Sequence, residues 1–119
     1  MATGTINRPA YSRVINPTLL DATNWEIIQS NIREASGAVV GSIILKCKNS
    51  VSNAGEIVST GLSLTAYAFL VGMVTANQWD NVPTRFVRVY FKTSGIVSIG
   101  TSFTAGEYLT IGFNVGSVV

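Results

Sequence analysis

The chain has 119 residues, a formal net charge of +2, 12% charged residues and 47% hydrophobic residues. That is enough for one domain with its own core, and its scattered basic residues are too thin for a nucleic-acid footprint. One cysteine and no histidine exclude an intrachain disulfide, a Cys/His zinc site and any nucleophile that relies on a histidine base.

The charged share is about half the usual 25%. Either Ser, Thr and Asn carry the surface, or part of it is covered by other copies of the chain, since exposed apolar patches mark interfaces. The longest apolar runs, 66–74 and 38–45, fall well short of the roughly 20 residues a membrane helix needs, so no membrane insertion is expected. The N-terminus has no apolar signal core. Export by a signal peptide is therefore not expected, and action outside cells would follow release by lysis.

In chain order, residues 1–23 show little periodicity, and Pro9 and Pro17 bias their neighbours toward extended backbone. This span reads as an N-terminal arm or linker, with residues 24–119 as the folded domain. Trp25 to Gln29 predicts a first strand, with Trp25 in the core. Asn31 to Lys46 predicts a longer one, with Val39, Gly41, Ile43 and Leu45 on one face. Its other face is also largely apolar, so it is buried on both sides or faces a partner subunit. Cys47, at its end, reads as a small buried hydrophobe.

Residues 49–55 predict a polar loop, Glu56 to Thr60 a short strand, and Tyr67 to Val74 a strong strand that is again apolar on both sides. Ala76 to Val82 predict a polar loop around Trp79. Beyond it, Val87, Val89 and Phe91 alternate with Arg88, Tyr90 and Lys92. A short run, Ile96 to Ile99, follows the Ser94-Gly95 turn. Last, Leu109, Ile111 and Phe113 alternate with Tyr108, Thr110 and Gly112. Ser36-Gly37 and Ser94-Gly95 open apolar strands in the same way. About seven strands, and no segment of helical period to serve as a crossover, predict an all-β antiparallel fold, a β-sandwich or a barrel.

The six acids are Asp21, Glu26, Glu34, Glu56, Asp80 and Glu107. Most stand at strand ends or turns, where carboxylates are solvated, and no phosphate-cradling loop is present. The pattern points away from an enzyme and from any cofactor. What remains is a binding site of aromatic and polar groups: Asn77, Trp79, Asp80, Asn81, Arg85, Arg88 and Tyr90. An indole offers a flat apolar face to a sugar ring, amides and carboxylates fix hydroxyls, and an arginine fork suits anionic groups. The competing readings are a Trp79 that lids the core and an Arg88 that sits at the surface or a subunit interface.

A series of short motifs then falls into a familiar order. Ala22-Thr23-Asn24-Trp25 precedes Gln29-Ser30-Asn31-Ile32-Arg33 and Gly37-Ala38-Val39-Val40. Thr60-Gly61-Leu62, Arg88-Val89, Ser94-Gly95-Ile96 and Ala105-Gly106-Glu107-Tyr108-Leu109 follow. Over roughly residues 24–113 this order resembles the head domains of tailed-phage receptor-binding proteins, at the tips of tail fibres and baseplates. The resemblance implies a jelly-roll-like sandwich, a homotrimer, and recognition of host cell-wall polysaccharide near subunit boundaries. It also implies other tail or baseplate proteins as partners and a place at the virion tail tip, acting at the host surface. A structural virion protein without a ligand, such as a capsid decoration or baseplate component, is the alternative.

Overall fold

The computed structural model describes residues 12–77 and 82–118. Among these, nine strands form one antiparallel sheet. They are β1 (Ser12–Ile15), β2 (Thr18–Leu19), β3 (Trp25–Ala35), β4 (Ala38–Cys47), β5 (Gly55–Ser59), β6 (Ala68–Thr75), β7 (Arg85–Phe91), β8 (Ile96–Ile99) and β9 (Tyr108–Val115). The order across the sheet is β1-β3-β4-β9-β6-β7-β8-β5-β2. The protein is therefore all-β and antiparallel.

The span read as an arm contributes both edges of the sheet. β1 pairs only with β3, and β2 only with β5. Yet Asn16 and Pro17 alone separate the two strands. Three Cα–Cα steps reach at most about 11 Å, so the sheet curls until its two ends nearly meet. β2 accordingly also lies against β3.

Inside the curl lies one core, which includes Trp25, Leu45, Ile57, Phe91 and Ile111. The Phe91 and Phe113 rings meet edge-on at 5.4 Å, and Trp25 and Phe103 at 4.9 Å. Such aromatic pairs add about 0.5–1.5 kcal/mol beyond area burial. The alternations expected in β7 and β9 hold, with Val89, Phe91, Leu109, Ile111 and Phe113 buried. Trp25 and Cys47 are buried as expected.

The two strands expected between Trp25 and Lys46 break elsewhere. β3 runs through Ser30 and Asn31, which pair with Ile43 and Ser42 of β4, and a register shift falls between Ile27 and Gln29. The turn comes instead at Ser36-Gly37, with φ of 53° and 78°. Two positive φ values make a mirror-image hairpin turn whose twist suits the flanking strands. Cross-strand pairing outweighs the weak strand propensity of the polar run. In β5 a register shift between Glu56 and Val58 sends both Ile57 and Val58 into the core.

Candidate functional site

β6 and β7 form a regular hairpin, paired from Ala68↔Phe91 to Val74↔Arg85. Successive side chains alternate between faces, so the inward and outward sets are fixed by register. Inward on β6 are Ala68, Leu70, Gly72 and Val74; inward on β7 are Val87, Val89 and Phe91. Gly72 pairs with both Val87 and Ile111, where β6 bridges β7 and β9. A Cβ there would stand 2.7 Å from a Leu109 methyl and 3.0 Å from one of Val87. The small face of β6 therefore goes inward, and the bulky face goes out.

That outward face is aromatic. Tyr67, Phe69, Val71 and Phe86 are 62%, 53%, 63% and 62% exposed. Phe69 stands opposite Tyr90, and Val71 opposite Arg88. The Phe69 ring lies 5.2 Å from those of Tyr67 and Tyr90, edge-on to both. The Arg88 guanidinium sits 5.2 Å from the centre of the Phe69 ring, a cation–π contact. A shallow depression of about 380 Å³ lies over Phe69, Val71, Phe86 and Arg88.

A second depression flanks the first. β8 pairs with β7 only at Tyr90↔Ser98 and Phe91↔Val97. Beyond Ile99 the chain turns away, and the carbonyl of Thr101 accepts a hydrogen bond from the Ala54 amide at 2.9 Å. The strands part there and leave a hollow of about 290 Å³, lined by Phe86, Arg88, Tyr90, Gly100 and Thr101 among others. Its lining brings two aromatic residues, an arginine and a threonine around space for a single small ligand.

The expected site residues separate into distinct places. Arg88 and Tyr90 share the outward face and line the hollow. Arg85 belongs to the opposite face of β7. Its Nη1 donates to Glu107 Oε2 at 2.6 Å and its Nη2 to the Ser102 carbonyl at 2.8 Å, with the guanidinium 5.0 Å from the Phe103 ring centre. It ties β7 to the β8–β9 connection. Asn77 is exposed at the loop end of the hairpin, where its carbonyl accepts from Thr75 Oγ1 at 2.9 Å. Tyr90 lies five residues along β7 from Arg85, about 17 Å at strand rise. Trp79, Asp80 and Asn81 lie outside the described residues.

Tyr67, Phe69, Val71 and Phe86 are absent from the sequence-based set. For Tyr67, Phe69 and Val71 the one hint in the chain is the contrast with small Ala68 and Gly72 on alternate positions; Phe86 becomes visible only through the register of β7.

Comparison with protein-family models, curated proteins and solved structures found no match.

Proposed function

We propose that this chain is the head of a phage receptor-binding protein, a jelly-roll-like sandwich that assembles as a homotrimer and recognises a host-surface saccharide. The observation that carries the reading is the hollow between β7 and β8, where Arg88 and Tyr90 stand together beside an aromatic face. The ring of Tyr90 supplies a stacking surface, and Arg88 supplies donors for hydroxyl or anionic groups. The job is binding without turnover, at the tail tip, with the remaining tail or baseplate proteins as neighbours.

A ligand-free structural role in the virion is the second reading, and the apolar character of the β6–β7 face favours it. Binding of purified protein to host cell-wall polysaccharide decides between them. Saturable binding that falls at least tenfold when Gly100→Trp fills the hollow, with the assembly intact, supports adhesion. A folded, assembled protein that binds no wall polysaccharide sinks it and leaves the structural role.

A further inference from the structure

We infer that the outward face of β6 and β7 is the contact between copies of this chain. Its area supports this. From the exposed fractions of Tyr67, Phe69, Val71, Phe86 and Tyr90, the face presents about 500 Å² of mostly apolar surface. That lies in the upper part of the range for a monomer's largest patch, about 300–600 Å², and patches of that size are often functional. A stable interface takes about 800 Å² from each partner, so this face and its rim supply most of one side.

Its chemistry narrows the occupant. Arg88 is the charged side chain in its centre, and it already lies over a ring. A sugar would need several donors and acceptors to hold its hydroxyls, and this part of the face offers few; the polar hollow lies beside it, toward β8. An anionic bilayer or polyanion would need a cluster of cations. What the face matches is another aromatic surface. Other exposed large hydrophobics among the described residues include Val14 on β1, Leu20 after β2 and Val40 on β4, none joined to a ring cluster of this kind. The best complement to the face is therefore its own copy.

Symmetry makes this workable. At a two-fold axis one patch meets its own copy, and in a three-fold assembly three copies of it meet where it faces the axis. Arg88 lies between Phe86 and Tyr90 on β7, so its guanidinium meets rings of the neighbouring copy as well as its own Phe69. The face is also pre-organised: Phe69, Phe86 and Tyr90 stand on paired strands, and Phe69 braces Tyr67 and Tyr90 at 5.2 Å, so little rotamer freedom is lost on association.

The inference deepens the reading of an assembling head, and the two are tested apart. Light scattering of the full chain should give a stable multiple of the monomer mass. Val71→Glu and Phe86→Glu should each yield monomer with an unchanged far-ultraviolet dichroism spectrum, while Val14→Glu, on an exposed β1 position, should keep the wild-type mass. A monomeric wild type at tens of micromolar overturns the inference. So does an oligomer that persists in the Val71→Glu, Phe86→Glu double variant, or a monomer that instead sediments with phospholipid vesicles. If both single variants lose their sheet, Val71→Thr and Phe86→Ser replace them, and an unweakened assembly in both counts against the inference. Polysaccharide binding by a monomeric wild type would overturn this contact and leave adhesion standing. Assembly through this face without polysaccharide binding would do the reverse.

Discussion

Thr60 makes two hydrogen bonds to a single atom, the carbonyl oxygen of Gly95: its amide donates at 2.9 Å and its Oγ1 at 2.8 Å. The same hydroxyl oxygen accepts from the Leu62 amide at 3.3 Å. Gly95 has a φ of 80°, and a Cβ there would stand 2.8 Å from the Leu62 backbone nitrogen. The β7–β8 turn and the end of β5 are thus one locked unit. Thr60→Val should cost about 1–3 kcal/mol, the range for stranding a buried polar group. Gly95→Ala should cost at least about 2 kcal/mol, since left-handed backbone alone costs an L-residue about 1–2. Urea midpoints at constant slope measure both; a change under 0.5 kcal/mol in Gly95→Ala, within the range of an ordinary surface substitution, would show that the turn relaxes freely.

Arg85 was expected among ligand-binding residues, and its two terminal nitrogens are engaged by Glu107 and Ser102. Its removal should be felt as stability. We expect Arg85→Ala to lose about 1–2 kcal/mol, from a partly buried ion pair and a charged hydrogen bond. Glu107→Gln should lose less, because its side chain can still accept from the Thr104 amide. Thermal unfolding should show the larger drop for Arg85→Ala. An unchanged midpoint in that variant, with weakened polysaccharide binding, would return Arg85 to the ligand site.

Trp25 is fully buried, and its Nε1 finds no acceptor. The ring's value here is volume and its edge-on contact with Phe103. Trp25→Phe should therefore be mild, because it deletes an unpaired donor along with part of the ring. Trp25→Ala should cost about 3–5 kcal/mol. If the two substitutions prove equally damaging, the indole nitrogen has a partner after all.

Cys47 is buried, and its Sγ lies 3.1 Å from the Asn49 carbonyl. Burial first, and the Glu107 carboxylate second, push its thiol above the ordinary thiol range. The folded state thus favours the neutral thiol. That contribution is whole below the ordinary thiol pKa and is lost as pH climbs through the raised value. Stability should fall on the alkaline side, and Cys47→Ala should flatten that slope. A disulfide reagent should label Cys47 only as fast as the protein opens; immediate labelling of the native protein would refute this.

How much of this was legible in the chain follows from locality. Val87, Val89, Phe91, Leu109, Ile111 and Phe113 announce their faces because one side of each strand is polar enough to make a period of two visible. β1 and β2 do not, because strands of four and two residues carry no pattern, and their partners lie elsewhere in the chain. The placement of β9 between β4 and β6 is equally silent in the sequence. For β6, alternation defines two faces but cannot choose between them when both are apolar. The choice is made by Gly72, whose site against Leu109 and Val87 has no room for a side chain. Arg88 and Tyr90 were found because they break an apolar strand, whereas Phe69 and Phe86 look like core until the register is known.

The strand order of the sheet bears on how the molecule is made. β2 needs β5, β5 needs β8, and β9, the last of the nine strands, joins the two halves of the sheet. β2 and β5 precede β8 in the chain, so during synthesis they form at most a two-stranded ribbon until β8 has emerged. Until then the free side of β5 offers bare backbone to any strand nearby. That interval is when this pair is most exposed to mispairing with copies of itself.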